Sequence, residues 1–184
     1  DNNFELGDTL VRELMVPRTE MVWVERDKTL RQGLSLALRS GYSRIPVAGE
    51  DLDNIIGIAY VKDLAKRALD HHEAETTEKV EQHMRPPVFV PENKKAADLL
   101  RDMQRDQIHL AVVVDEYGGV AGLTTLEDLV EELVGELVDE HDRAKAGVTR
   151  GANSSILFPG MTRPDELLEM AIKVPADGAY ETVA

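Results

Sequence analysis

The chain of 184 residues is long enough for one or two domains with a sizeable core, and 42% of its residues are hydrophobic. Its formal net charge of −14 argues against nonspecific nucleic-acid binding, which requires a positive surface. It contains no cysteine, which excludes disulfides and thiolate metal sites, and its apolar runs are too short to span a membrane. We therefore expect a water-soluble stretch in which any anion site needs nearby arginine, lysine or a bound cation.

The first part of the chain is predicted to alternate short strands with amphipathic helices. Residues 1–10 are polar and are interpreted as a linker from a preceding domain. Over residues 11–70, β-branched runs alternate with segments whose apolar residues recur every three to four positions, the spacing of a helix with one buried face. The predicted strands are residues 22–24, 44–47 and 55–59, and the predicted helices are residues 30–40 and 61–69. The order of elements is therefore β-α-β-β-α.

The same order begins again after a polar linker at residues 71–79, which indicates an internal repeat over residues 80–140. VEQHMRP at the start of the second copy matches VRELMVP at the start of the first. Gly122 and Asp128 fall on Gly57 and Asp63. The predicted fold class is therefore α+β, built from two related units.

The second copy contains the most informative stretch, AVVVDEYGGVAGLTTLEDLVEELVGEL at residues 111–137. Two apolar runs separated by a glycine-containing turn predict a β-hairpin. The segment that follows has apolar residues at helical spacing, so a strand leads directly into the N-terminus of a helix. Backbone N–H groups at such a terminus lack partners and can bind an anion.

The residue types at this corner suit a nucleotide. Gly122 lets the backbone approach a ligand closely, Thr125 offers a hydroxyl to a phosphate, and the Asp128 carboxylate can accept both hydroxyls of a ribose. Thr-x-x-Glu/Asp is also a helix capping box, formed here by Thr124 with Glu127 or by Thr125 with Asp128. The motif alone favours the cap, whereas the recurrence of glycine and aspartate at the same spacing in both copies favours a duplicated ligand-binding fold.

With these features the chain resembles a tandem pair of CBS domains, the adenosyl-nucleotide-sensing module, over roughly residues 11–140. The second copy matches the family signature, Gly-hydrophobic-x-(Thr/Ser)-x-x-Asp, in full at residues 122–128. The first copy departs from it at Tyr60, which puts a second binding site around Asp63 in doubt. The resemblance implies two β-α-β-β-α repeats packed face to face and a disc-like homodimer formed through the CBS domains.

Further motifs resemble the CorC/HlyC group, bacterial relatives of the CNNM magnesium transport proteins. They are SGYSRIPV at residues 40–47, YVKDL at 60–64, and DEYGG at 115–119 followed by TLEDL at 125–129. Residues 141–184 resemble a linker and the truncated start of the group's small C-terminal domain. In that group a membrane domain transports the cation, and the CBS pair binds ATP, usually with Mg²⁺, or AMP. The resemblance implies a regulatory module on the cytoplasmic side of the bacterial inner membrane that acts on a magnesium or cobalt transport domain of the same chain.

The resemblance also implies which residues contact the nucleotide. From the first copy these are Tyr42, Arg44, Ile45 and Pro46, and from the second they are Gly122, Thr125 and Asp128. At Val16 many family members have threonine, so one hydroxyl contact on the phosphate side is missing. Chemically, Arg44 supplies the local positive charge, Tyr42 can stack on a purine, and Ile45 with Pro46 offers an apolar wall.

Other candidates favour structural interpretations. His71, His72 and His83 lack fixed ligand spacing and are expected to be solvated rather than to bind a metal. The acidic stretch at residues 136–142 is expected to be a hydrated face, so Mg²⁺ is expected only through nucleotide phosphates. His109 is expected to be structural. No combination of nucleophile, base and orienting residue is visible, so no catalytic residue is assigned and an enzyme is not expected.

Two alternatives to a nucleotide sensor stay open at this point. A structural dimerisation module with a degenerate cleft is favoured modestly by Tyr60 and Val16. A regulatory insert of a soluble enzyme is weaker, because the resemblance continues into residues 141–184.

Overall fold

The computed structural model describes residues 6–146. The helices are α1 (Val11–Leu14), α2 (Leu30–Ser40), α3 (Val61–Asp70), α4 (Ala74–Thr77), α5 (Ala96–Arg105) and α6 (Leu126–Ala146). The strands are β1 (Val16–Pro17), β2 (Val24–Glu25), β3 (Arg44–Ala48), β4 (Ile55–Tyr60), β5 (Phe89–Pro91), β6 (Leu110–Val114) and β7 (Val120–Thr125). Short 3₁₀ turns cover Leu6–Asp8, Arg18–Glu20 and Val80–His83.

The chain forms two compact units that do not follow the two sequence copies. The sheet unit comprises Val16–Glu92 and Leu110–Leu123. The helical unit comprises residues 6–15, Asn93–His109 and residues 124–146. The sheet unit therefore contains all of the first copy after β1 begins and most of the hairpin of the second copy.

The sheet unit is built from two sheets. In the three-stranded sheet, β3 lies in the middle, parallel to β2 and antiparallel to β4. The four-stranded sheet has the order β1-β7-β6-β5, with β1 antiparallel to β7 and β5 parallel to β6. In the β6–β7 hairpin, Gly118 has a φ of 80°, which a residue without a Cβ adopts at little cost.

Two hydrophobic clusters hold the sheet unit together. The first packs α2 and α3 against the three-stranded sheet through Leu30, Ile45, Val47 and Leu64, all at most 3% exposed. The second joins the inner faces of the two sheets. Its buried members are Met21, Ala48, Ile55, Ile58, Leu110, Val112, Val120 and Leu123. Strands from both sequence copies therefore share one core.

Helix α2 shows how the local sequence sets the ends of an element. The Thr29 hydroxyl accepts a hydrogen bond from the Gln32 amide at 3.2 Å, and the Gln32 side chain accepts one from the Thr29 amide at 2.9 Å, which forms a capping box. At the other end Gly41 has a φ of 78° and donates its N–H to the Ala37 carbonyl. This is the left-handed C-terminal cap for which glycine is preferred.

In the helical unit, α5 packs against α6, α1 and the 3₁₀ turn Leu6–Asp8. The buried face of α5 is rich in alanine and leucine, and Leu129 and Leu133 of α6 are at most 1% exposed. The Thr9 hydroxyl donates to Glu136 Oε2 at 2.9 Å, which fixes the segment before α1 to α6.

The predicted β-α-β-β-α order is confirmed in each copy, with strand ends shifted by one or two residues. The polar stretch at residues 71–79 contains the one-turn helix α4, whose Ala74 is 2% exposed and belongs to the core. Helix α6 runs without a break past residue 140, and the predicted C-terminal segment beyond residue 146 lies outside the described residues. None of the helices described over residues 6–146 has an apolar stretch long enough to cross a bilayer.

Candidate functional site

The second copy's corner contains three of the predicted site residues. Gly122 is buried in β7, Thr125 is the last residue of that strand, and Asp128 lies in the first turn of α6. The Thr125 hydroxyl oxygen accepts a hydrogen bond from the Asp128 backbone N–H at 3.1 Å. The predicted cap is thus present, formed by Thr125 rather than by Thr124, whose side chain is buried.

The cap uses the backbone of Asp128 and leaves its side chain available. Among the described residues the half-buried Asp128 carboxylate has no hydrogen bond or ion pair. A carboxylate held at the start of a helix with both oxygens unused can accept two hydrogen bonds from a diol. The capping role and the ligand role of this motif are therefore compatible.

The equivalent corner of the first copy is arranged differently. Tyr60 occupies the N-cap position of α3 and makes no capping hydrogen bond with its side chain. Arg85 binds both oxygens of Asp63, with Nε–Oδ2 and Nη2–Oδ1 distances of 2.8 and 3.1 Å. This charge-assisted fork lowers the pKa of the Asp63 carboxyl below its ordinary value. The carboxylate that the repeat equates with Asp128 is therefore already occupied.

Gly57 is needed at this corner for a steric reason. A Cβ at this position would collide with the side chain of Met84 and lie 3.0 Å from the carbonyl oxygen of Arg85. Arg85 also exchanges two backbone hydrogen bonds of 2.8 Å with Ile58 of β4. Because Gly57 has no side chain, the segment containing Met84 and Arg85 can pack directly against β4, and this places the Arg85 side chain next to Asp63.

The sheet unit contains the other predicted site residues. Val16 of β1 pairs with Leu123, and Pro17 pairs with Gly122, so Val16 and Gly122 lie on neighbouring strands. Tyr42 is 49% exposed at the end of α2, and Arg44 is half-buried at the start of β3.

Ile45 and Pro46 follow Arg44 in β3 and are buried. Ile45 is 3% exposed and belongs to the core cluster formed with α2 and α3. Any wall that these two residues offer to a ligand stays a prediction, whereas the side chain of Tyr42 is accessible.

Two features of the structure were not predicted from the sequence. Arg85 stands where the repeat places Val16 in the first copy, so the internal alignment held the signal for it. The second feature is an ion pair between Arg18 and Asp53, in which Asp53 also accepts from the Val120 amide at 3.0 Å. Arg18 lowers the pKa of the Asp53 carboxyl, and this pair ties the β3–β4 turn to the β6–β7 hairpin. No short-range pattern predicts it because its members are far apart in sequence.

Among the remaining histidine candidates, His83 has a structural partner. Arg67 forks onto the Glu78 carboxylate, and His83 Nε2 lies 2.6 Å from Glu78 Oε1. Arg67 and, to a lesser extent, His83 lower the pKa of Glu78. His71 and His72 are exposed. Over the part of the chain that the structure describes, no three His, Asp or Glu side chains are grouped in a way that could hold a metal ion.

A groove of about 570 Å³ runs beside α2 and is lined by Trp23 and by the basic residues Lys28, Arg31 and Arg39. Lys28 lies 3.9 Å from Glu25, and Arg31 lies 3.5 Å from Glu75. None of the predicted site residues lines it, so it is separate from the features that the repeat defines.

Comparison with known proteins gives these corners a context. The family model described as "CBS domain" matches residues 11–70 and 80–135. The magnesium and cobalt efflux protein CorC of Escherichia coli is 41% identical over 138 residues, which are 75% of this chain and 46% of that protein. The chain spans 33% to 46% of the length of the curated relatives with which it aligns.

Solved structures agree. The CBS domain of a bacterial CNNM/CorC family Mg²⁺ transporter in complex with ATP is 48% identical, with a TM-score of 0.66 over 71% of this chain and 91% of that one. A CBS-domain pair with bound AMP from Klebsiella pneumoniae is 31% identical, with a TM-score of 0.60 over 69% of this chain and 99% of that one. The chain therefore belongs to the CBS domain family, as a tandem CBS pair of the CNNM/CorC group.

Proposed function

We propose that this CBS pair binds one adenine nucleotide, ATP with Mg²⁺ or AMP, and thereby regulates a CorC-type magnesium or cobalt transport domain. The observation that supports this best is the Asp128 carboxylate, which the cap holds in place and which no described residue engages. Relatives described in complex with ATP and with AMP provide the second line of support.

The chemistry of the candidate residues suits such a ligand. Asp128 accepts the two ribose hydroxyls, and the exposed ring of Tyr42 stacks on the purine. The first turn of α6 carries Glu127 and Asp128, whose negative charges oppose a phosphate. The guanidinium of Arg44 and the Mg²⁺ carried by ATP must therefore offset the phosphate charge.

Regulation requires that the nucleotide favour one of two arrangements of the module. In the full-length protein we place the pair on the cytoplasmic side of the membrane, covalently connected to the transport domain. Nucleotide binding then shifts the population between two dimer geometries, and that shift biases transport. The size of the bias is set by the difference in nucleotide affinity between the two geometries.

Isothermal titration calorimetry tests the binding site. The titrations use ATP with and without Mg²⁺, and AMP, against the wild type, Asp128→Ala and a control, Asp98→Ala. Removing two charge-assisted hydrogen bonds should weaken binding by Asp128→Ala at least tenfold, at about 1.4 kcal/mol per factor of ten. Asp98 is an exposed carboxylate on α5 that pairs with Arg101, so its removal should leave affinity unchanged. Absence of binding by the wild type refutes the proposed function, and unchanged binding by Asp128→Ala refutes the site.

The proposed homodimer has its own support. Leu38 on α2 and Leu69 on α3 are 78% and 82% exposed, and the two helices pack against each other. Exposed leucines on neighbouring helices are suited to burial in a subunit interface. Leu38→Glu with Leu69→Glu should therefore convert the dimer to a monomer in sedimentation velocity. Tyr117→Glu, which changes a residue 89% exposed on the β6–β7 hairpin, is the matched control. A wild type that is monomeric at all concentrations contradicts the dimer.

A structural dimerisation module without a ligand is the second candidate. The occupation of Asp63 by Arg85 and the valine at position 16 favour it. The two candidates differ in their response to nucleotide. A sensor should change its sedimentation coefficient or its monomer–dimer constant when ATP is added, whereas a scaffold should not.

A further inference from the structure

The first copy's corner connects Asp63 to Arg44 through two intervening side chains. The guanidinium carbon of Arg85, whose nitrogens bind Asp63, lies 3.8 Å from the centroid of the Tyr60 ring. The guanidinium carbon of Arg44 lies 5.3 Å from the same centroid. Both distances are within the range of cation–π interactions. Asp63, Arg85, Tyr60 and Arg44 therefore form one continuous cluster, the Tyr60 cluster.

The backbone holds each member of the Tyr60 cluster in place. Tyr60 and Arg44 are directly opposite each other in the antiparallel β3–β4 register. Arg85 is fixed to β4 by its two backbone hydrogen bonds to Ile58. Because cross-strand pairing and a bridged backbone set the positions of all three Cα atoms, the three side chains begin close to one another.

The charges of the cluster are asymmetric. Two guanidinium groups share one ring and repel each other, and the fork to Asp63 offsets the charge of Arg85. The Nε atom of Arg44 is buried, which restricts the side chain at its base.

We propose that Tyr60, fixed by Arg85 and Asp63, positions the guanidinium of Arg44 for nucleotide phosphates, so that this corner is a positioning device and not a second adenosine site. The inference rests on the proposed function, in which Arg44 contacts the phosphates. Tyr60, the departure from the family signature, then has a purpose. Tyr60 lacks the small hydroxyl side chain of the family signature, but its ring provides the surface against which Arg44 packs.

Comparison of ATP with adenosine separates positioning from simple stability. The variants are Arg44→Ala, Tyr60→Thr, Tyr60→Phe and Arg85→Ala. Tyr60→Thr provides a hydroxyl at the N-cap of α3, where Tyr60 makes no capping bond, so helix formation is supported while the ring is lost. Tyr60→Phe keeps the ring and removes only the hydroxyl. Thermal unfolding establishes that each variant is folded before titration.

The expected result is a loss confined to phosphate recognition. Tyr60→Thr and Arg85→Ala should bind ATP about two- to fivefold more weakly, while their affinity for adenosine changes by less than about twofold. Tyr60→Phe should match the wild type, and Arg44→Ala should show the largest loss for ATP. Asp63→Ala should leave the stoichiometry at one nucleotide per chain.

Three outcomes overturn the positioning role while the proposed function stands. These are unchanged ATP affinity in Tyr60→Thr, an equal loss for ATP and adenosine in that variant, and a wild-type stoichiometry of two that Asp63→Ala reduces to one. A wild type that binds no ATP, or Asp128→Ala that binds it normally, instead refutes the proposed function or its site.

Discussion

The two strand-to-helix corners share one sequence pattern, but they differ in whether the aspartate carboxylate has a bonding partner. At the first, the carboxylate of Asp63 is held in a fork by Arg85. At the second, Thr125 caps the helix, and the Asp128 carboxylate makes no bond to any other residue in the described range. A glycine and an aspartate at this spacing therefore specify the backbone conformation of the corner. Whether the aspartate carboxylate is available to a ligand depends on which other side chains pack against it.

The difference between the copies extends to the strand that supplies positive charge. In the repeat alignment Arg44 of the first copy corresponds to Leu110 of the second, and Leu110 is buried. At these aligned positions the first copy has a cation and a carboxylate bound by Arg85, whereas the second copy has a carboxylate with no described partner and an apolar residue. Under the proposed function, each copy supplies one half of the nucleotide-recognition set, which is why we expect one ligand per chain.

The largest effect is expected from a substitution at Gly57, where the segment containing Met84 and Arg85 packs against the first corner. Gly57→Ala places a Cβ against Met84 and the Arg85 carbonyl, so the chain must shift or the fork to Asp63 must open. Overpacking of this kind should lower the free energy of unfolding by about 1–3 kcal/mol, measured by urea denaturation. Gly135→Ala is the control, because its Cβ meets nothing within 4 Å inside α6, and it should raise stability by up to about 1 kcal/mol. Equal effects of the two substitutions would contradict the steric role of Gly57.

The second prediction concerns the cap at the other corner. Thr125→Ala removes the acceptor for the Asp128 amide and should lower the free energy of unfolding by about 1 kcal/mol. Thr125→Ser retains the hydroxyl and should behave as the wild type in the same urea titration. If alanine and serine are equally stable, the hydroxyl contributes nothing to α6. ATP affinity measured on both variants then shows whether the same hydroxyl also contributes to nucleotide binding.

The sequence predicted the order of elements and the second corner because both depend on local patterns. Apolar spacing, the cap at Thr29 and the glycine at residue 41 act over a few residues, and the structure has the corresponding helix ends. The fork from Arg85 to Asp63 was not predicted, although the repeat showed Arg85 in the place of Val16. A long side chain such as that of Arg85 can extend into solvent or contact a neighbouring residue, and the sequence does not show which of these occurs because it depends on tertiary packing. The tie between Arg18 and Asp53 was inaccessible for the same reason.

A smaller effect should follow from changing the first copy's counterpart of Arg85. Val16 pairs with Leu123 on β7 and lacks the hydroxyl that the family resemblance associates with phosphate contact. Val16→Thr should therefore strengthen ATP binding about two- to fivefold, as one added hydrogen bond of 0.5–1 kcal/mol would. Adenosine affinity should be unchanged, because the added hydroxyl is expected to act on the phosphates. Val16→Ala, which shortens the side chain without a hydroxyl, is the control, and a gain in that variant would contradict the explanation.

The smallest effect is the pH dependence of the fork itself. Because Arg85 lowers the pKa of the Asp63 carboxyl, ionised Asp63 stabilises the folded state above its unfolded pKa, near 3.8. This stabilisation is lost as the pH falls through the lower pKa of the folded state. At pH 7 the free energy of unfolding of the wild type should therefore be higher than that of Asp63→Asn by a few tenths to about 1 kcal/mol, the range for exposed ion pairs. This difference in free energy should become smaller below pH 3.8. Added salt should narrow this difference as well, since the Arg85 side chain is 45% exposed. The control is Asp98→Asn, which changes an exposed ion pair on α5. At each pH its free energy of unfolding, measured by urea titration, should differ from that of the wild type by less than that of Asp63→Asn does. If the gap between the wild type and Asp63→Asn is the same at pH 7 and pH 3, the fork does not hold an ionised carboxylate, and the contrast between the two corners loses its electrostatic basis.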